Sequence, residues 1–208
     1  MSRHILTTPE SPKRGQVLTL AREKGILRPK DLEGLGIAPE YLNKLHAEGV
    51  LDRPARGIYR LASSKPKRFS QLAEISRLAP RGVITLLSAL DFHGLTTQFP
   101  HEIWMAIPEK ARAPRIEYPP TRVVRYGEAA YRFGIEVHMI DNVEVRVYSA
   151  AKTVADCFKF RGQIGLDVAI EALRESLQQK KATNDAIWSA AKACRMTNVI
   201  RPYLEAVQ

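Results

Sequence analysis

Apolar residues recur at helical spacing through the first fifty positions, and the breaks between runs fall at glycines. Val17, Leu18, Leu20 and Ala21 share one face of residues 13–24, with Arg14, Arg22, Glu23 and Lys24 mostly opposite. This predicts an amphipathic helix stopped by Gly25, since glycine tolerates the left-handed cap. A shorter helix is expected from Arg28-Pro29, where proline is preorganised for the first turn. Asp31 and Glu33 suit its positive end, and Leu32 and Leu35 are expected to face inward. Gly36-Ile37-Ala38 then reads as a tight turn, and Pro39 opens a third helix with Leu42 and Leu45 inward, ending at Gly49. Two short strands, 50–53 and 57–61, follow through Pro54-Ala55-Arg56-Gly57, with Gly57 supplying the positive φ of a tight hairpin. Three helices and a basic hairpin in this order predict a winged helix-turn-helix.

The pattern changes after residue 62. Residues 63–68, Ser-Ser-Lys-Pro-Lys-Arg, have no apolar anchor and read as a linker. Phe69, Leu72, Ile75 and Leu78 then predict a helix ended by Pro80, and Leu86, Ala89, Leu90 and His93 another, stopped by Gly94. Ile103 to Ile107 is a continuous apolar run of strand length, as in a strand covered on both faces, and 123–126 reads as a further strand. Ile135, Val137 and Met139 alternate with Glu136 and His138, and Val145 and Val147 with Glu144, Arg146 and Tyr148. The intervening Asp141-Asn142 makes an antiparallel hairpin the natural reading.

The last sixty residues look helical. Ser149 is placed to cap a helix holding Val154, Cys157 and Phe158, with Gly162 as its stop. Leu166, Ile170, Leu173 and Leu177 form an amphipathic stripe. Thr183 or Asn184 opens a helix with Ile187, Ala191 and Cys194, and a last one carries Val199, Tyr203 and Val207. The expected fold class is therefore α+β. It comprises an N-terminal arm and winged helix-turn-helix (1–62), a linker (63–68), and a mixed domain (69–208) with a small, largely antiparallel sheet and a C-terminal helical bundle.

Charge adds a partner class. The chain carries +10 over 208 residues, with thirteen basic against seven acidic side chains in residues 1–67 and nineteen against fifteen beyond. The excess is densest over the predicted reader, which favours a polyanion. On the third helix Tyr41, Asn43, Lys44 and His46 occupy the exposed face, and Arg53, Arg56 and Arg60 sit in the wing. Asn pairs bidentately with adenine, and Lys and Arg contact phosphate or guanine. Lys110, Arg112, Arg115, Arg122, Arg125 and Arg132 form a candidate second basic surface, interleaved with Tyr118 and Tyr126; the other reading of this segment is a solvated loop.

Catalytic chemistry finds little support. Ser149 and Lys152 have S-x-x-K spacing without the companion S-D-N and K-T-G elements, and a serine opening a helix is more often a cap. Asp141, Glu144 and Arg146 resemble a metal-dependent nuclease hairpin, but arginine stands where a lysine is wanted. His93 reads as a core histidine, His101 and His138 lack partners at ligand spacing, and Cys157 and Cys194 suit small core residues in a reducing cytoplasm. No cofactor, metal site or enzymatic activity is expected. No apolar run reaches membrane-spanning length, and residues 1–15 hold no signal-peptide core.

Three stretches resemble the AbiEi family of bacterial antitoxins from type IV toxin–antitoxin systems. They are LDRPARGIYRL, then APRGVITLLSALDFHGLTTQFPHEIWMAIP, and EVHMIDNVEVRVYSAAKTVADCFKFRGQIGLDVAIEALRE with the RPYLEA ending. The resemblance implies a non-enzymatic, cytoplasmic protein that represses its own operon by binding inverted repeats in double-stranded promoter DNA. It also implies that the second domain counters a cognate nucleotidyltransferase toxin without a stable complex. Its implied DNA contacts fall on Tyr41, Asn43, Lys44, Arg53 and Arg56, with Arg28 and Lys30 at the backbone. Two other functions remain open: a regulator with a ligand-sensing second domain, and a metal-dependent nucleic-acid enzyme.

Overall fold

The computed structural model describes residues 11–207; the N-terminal arm lies largely outside them. Helix α1 (Pro12–Lys24) is capped by the Ser11 hydroxyl and buries Val17, Leu18 and Ala21. Gly25, at φ 67°, ends it beside the backbone of Asp141, whose carbonyl oxygen would lie 1.6 Å from any Cβ placed there. A 3-10 helix (Pro29–Leu35) and helix α2 (Tyr41–Ala47) follow, separated by Gly36 in the left-handed conformation. Strands β1 (Leu51–Ala55) and β2 (Ile58–Leu61) pair antiparallel as the wing, and Leu27 bridges to Tyr59 on the outer side of β2. Val17, Leu27, Leu32, Leu42, Leu45, Leu51 and Tyr59 close this core. Leu35 is an exception to the expected pattern: it stands 37% exposed, because the short 3-10 helix buries only Leu32.

The remainder is built on a five-stranded sheet in the order β5-β4-β3-β7-β6, with β3 (Val83–Ile84), β4 (Ile103–Pro108), β5 (Thr121–Tyr126), β6 (Ile135–Ile140) and β7 (Val143–Tyr148). It is mixed: β3–β4 and β6–β7 are antiparallel, while β4–β5 and β3–β7 are parallel. The β6–β7 hairpin turns at Asp141-Asn142, both at positive φ as its two-residue connection requires. On edge strand β6 the expected inward alternation is incomplete. Val137 and Met139 are 59% and 66% exposed. The opposite face of the hairpin, with Val143, Val145 and Val147, is the one that packs on helix α3 (Ser70–Leu78).

Helices α4 (Leu86–His93), α5 (Glu128–Arg132), α6 (Ala150–Lys159), α7 (Arg161–Ile164), α8 (Leu166–Gln178), α9 (Asn184–Cys194) and α10 (Thr197–Ala206) complete an α+β fold with helices gathered at the C-terminus. Ser149 caps α6 and Thr183 caps α9. Helix α6 breaks at Phe160, before Gly162 is reached. Helix α8 buries Val168, Ala169, Ala172, Leu173 and Ser176, so its inner face is rotated from the leucine stripe and leaves Leu166 exposed.

The two parts share packing. One apolar cluster joins Ile26 and the wing residues Ala55 and Ile58 to Leu72, Ile75, Ile84, Met105 and the β7 valines. Polar contacts reinforce the seam. Asp31 receives Lys24 Nζ at 3.1 Å, the backbone N–H of Arg28 at 2.7 Å, and the Arg77 guanidinium. Burial alone would raise the Asp31 carboxyl; these donors outweigh it and hold the group below its ordinary value.

Candidate nucleic-acid interface

Helix α2 and the wing meet at one tyrosine. Tyr59 is 2% exposed, and its hydroxyl donates to Asn43 Oδ1 at 2.7 Å. The guanidinium of Arg53, on the facing strand, lies over the same ring at 5.6 Å from its centroid. A helix amide and a wing guanidinium are thus oriented by a single buried side chain. Asn43 keeps its amide N–H donors, and its oxygen has a second lone pair for a base edge.

Around this centre, Lys44 is exposed and extends over the Tyr41 ring at 5.8 Å, and the Tyr41 hydroxyl meets Ser11 Oγ at 3.3 Å. His46 Nδ1 donates to the Leu51 carbonyl at 2.8 Å, tying the end of α2 to the first wing strand and leaving Nε2 outward. Arg56 stands at the tip of the wing, 80% exposed, with Glu117 at 3.7 Å. Lys30 is exposed on the 3-10 helix. No carboxylate lies in ion-pair range of Lys44 or Arg53 among the described residues. The face is therefore free to accept phosphate charge from outside.

Two predicted contact residues are placed elsewhere. The Arg28 guanidinium donates to the carbonyl of Arg77 on α3, in the seam. Arg60 points the same way, reaching Glu74 at 3.3 Å and Asp52 at 3.9 Å. Glu74 is only 3% exposed, and burial pushes its carboxyl up against the pull of Arg60. Alternation along β2 explains this: Tyr59 faces the helices, so Arg60 faces the second part of the chain.

The candidate second surface divides in the same manner. Arg122 pairs with Glu102 at 2.7 Å and stacks over Trp104 at 4.7 Å. Arg125 Nη1 donates to the carbonyls of Glu109 and Ala111, and Arg132 is paired with Glu128. Lys110, Arg112 and Arg115 are exposed.

The residues weighed for catalysis are occupied otherwise. Ser149 is the α6 cap, accepting from the Lys152 N–H at 3.3 Å. Lys152 is fully buried, with Nζ 2.5 Å from both carboxylate oxygens of Asp156 and within 4.6 Å of the Tyr126 and 4.2 Å of the Tyr148 ring centroids. Cys194 adds a thiol contact to Asp156 at 3.3 Å. Burial pushes Asp156 up despite its lysine. Asp141 accepts from the Ser70 hydroxyl and pairs with Lys67 at 3.6 Å, while Arg146 lies over Tyr131. Among the described residues no three His, Cys, Asp or Glu side chains are grouped to hold a metal ion. No helix among them is long and apolar enough to cross a membrane.

Tyr59 is not singled out by the hydrophobic pattern, although its position beside Arg60 on a short strand marks it as inward-facing. The Lys152–Asp156 pair is equally inconspicuous; its signal is a charged i, i+4 pair inside the otherwise apolar run from Ala150 to Phe158.

Residues 16–62 match the model of a family described as a transcriptional regulator, AbiEi antitoxin. This segment takes in most of α1, the 3-10 helix, α2 and the wing. The fold is similar to that in the crystal structure of the RV2827C protein from Mycobacterium tuberculosis. The TM-score is 0.53 at 15% identity, over 92% of this chain and 78% of that one. No curated protein matches the chain.

Proposed function

We propose that this chain is a DNA-binding antitoxin that represses its own operon, with α2 and the wing reading double-stranded DNA at inverted repeats. The observation that carries the reading is the Asn43–Tyr59–Arg53 arrangement beside Lys44, which has no carboxylate partner among the described residues. It holds one base-reading amide and two cations on a single exposed face of the matched segment. The contact set is Lys30, Tyr41, Asn43, Lys44, His46, Arg53 and Arg56, with α2 in the major groove and the wing tip on adjacent backbone. Arg28 and Arg60 belong to the seam and stand outside this set. The second part of the chain opposes a cognate nucleotidyltransferase toxin, as the family resemblance implies, and no stable complex between the two is required.

A reporter driven by the sequence upstream of the gene, combined with co-expression of a nucleotidyltransferase encoded next to it, tests both halves. Asn43→Ala/Lys44→Ala is expected to release the reporter while still protecting cells from the toxin. Loss of neither activity, or absence of any repression by the native protein, refutes the repressor reading.

A second reading has one observation in its favour. A crevice of about 360 Å³ lies at the seam, lined by Arg22, Ile26, Arg60, Lys67, Glu74 and Asp141. A small ligand there would touch both parts of the chain and make the protein a ligand-sensing regulator. Thermal-shift screening of small anions distinguishes this reading, which predicts a ligand-dependent change in DNA affinity.

A further inference from the structure

Strand β6 closes one end of the five-stranded sheet, and among the described residues no strand pairs with its outer edge. The two-residue turn at Asp141-Asn142, and the Ser149 N–H donating to the Gly134 carbonyl at 2.7 Å, fix which backbone groups face β7. These belong to Gly134, Glu136, His138 and Ile140. The N–H and C=O groups of Ile135, Val137 and Met139 therefore point to the open edge. The side chains of Val137 and Met139 stand 59% and 66% exposed beside them. Sheet edges are normally guarded by charge, proline or a bulge. The opposite edge strand, β5, carries Arg122 and Arg125 and follows Pro119-Pro120. Strand β6 reads Ile-Glu-Val-His-Met-Ile, without lysine, arginine or proline, and pairs with β7 in unbroken register.

We infer that two copies of this chain pair antiparallel through β6, about a two-fold axis at Val137. An axis between two residues would set outward-facing amides against inward-facing ones. An axis at Glu136 would oppose that carboxylate to its own copy, and an axis at His138 would leave Ile135 unused. The axis at Val137 engages every open residue. Ile135 lies opposite the partner's Met139 and Val137 opposite the partner's Val137, so about six N–H···O bonds cross the axis. On the other face Glu136 lies opposite the partner's His138, at the closer Cα spacing of about 4.5 Å. Within one chain Glu136 Oε2 is already 3.3 Å from His138 Nε2, and both side chains are partly exposed. Carboxylates and imidazoles thus alternate around the axis, and such unlike cross-strand pairs stabilise a sheet. The contact is isologous and closes on itself, which stops growth at two copies. It needs no DNA, yet it relates two readers by the symmetry of an inverted repeat.

Sedimentation equilibrium of the full chain without DNA tests the pairing. The native protein is expected to show a reversible monomer–dimer equilibrium. Val137→Pro removes an N–H on the open edge, leaves the β7 ladder intact, and should be monomeric at the same concentrations. His138→Glu sets carboxylate against carboxylate and should weaken the dimer about tenfold. The exchange Glu136→His/His138→Glu restores unlike neighbours across the axis and should recover the native equilibrium, which a merely damaged fold would not do. Val137→Cys should be joined to its own copy by a short bismaleimide, while Phe99→Cys, exposed on the loop before β4, should not; the native cysteines are buried. A native protein that stays monomeric up to its solubility limit overturns the pairing and leaves the edge to a strand from another protein. A native dimer left unchanged by Val137→Pro and His138→Glu overturns it as well, because another surface then makes the contact. Neither outcome touches the DNA reading, since no DNA is present. Circular dichroism and melting midpoints check each fold, and the charge exchange decides the matter if proline disturbs the strand.

Discussion

The hydroxyl of Tyr59 donates to Asn43 Oδ1 at 2.7 Å, so a buried wing residue sets the orientation of the helix amide best suited to reading a base. Tyr59→Phe removes only that donor and keeps the ring beneath Arg53. Stability is expected to fall by about 1 kcal/mol, the usual net worth of one hydrogen bond. Affinity for the specific duplex should fall several-fold while scrambled DNA is bound as before. Fluorescence anisotropy on the two duplexes, with urea unfolding alongside, measures both effects.

The buried Lys152–Asp156 pair predicts a sharp asymmetry between single and double substitutions. Both side chains are fully buried, so removing one partner strands the other charge. Lys152→Met or Asp156→Leu alone is expected to cost about 3–5 kcal/mol in urea unfolding. The double substitution should recover most of the loss, because neither desolvated charge remains. A loss in the double variant equal to the sum of the two single losses would show that the pair is not coupled.

Two seam and core groups give a pH dependence with a definite sign. His93 donates from Nε2 to the Tyr148 carbonyl at 2.7 Å, and burial holds its folded pKa below the ordinary 6.5. The unfolded chain then takes up the proton first as pH falls. His93 therefore withdraws stability progressively below pH 6.5, and His93→Gln should flatten that limb. Asp31, held below 3.8, contributes stability that is present above that pH and is lost as pH falls through its folded value. Asp31→Asn should accordingly lower stability at neutral pH and leave little difference in strong acid. Unfolding midpoints measured across the acid range for the three proteins decide this.

The helices and wing of residues 12–61 are legible in the chain because local chemistry specifies them. Gly25 and Gly36 take the left-handed conformations that their helix stops need, Leu42 and Leu45 go inward, and Gly57 turns the wing. Asp141-Asn142 likewise announced its hairpin. What stayed hidden depends on partners distant in sequence. Arg28 opens the second predicted helix and Arg60 lies in the wing, but only the packing of α3 shows that both side chains face a seam. Alternation marked Val137 and Met139 as apolar positions without revealing that β6 is an edge strand with one face uncovered. The buried Lys152–Asp156 pair has the spacing of an ordinary surface pair, and only the surrounding Tyr126 and Tyr148 rings distinguish it.

DNA reading by the exposed face of α2 and the wing is tested most directly by a salt series. It compares the affinity of the native protein and of Lys44→Ala/Arg53→Ala for the duplex upstream of its gene. Native binding is predicted to be specific and steeply salt-dependent. The double variant should bind about tenfold or more weakly, with a slope lower by roughly 2 if each residue contacts one phosphate. Equal affinity and slope for the two proteins, or a native protein that does not prefer the upstream duplex over a scrambled one, would contradict it.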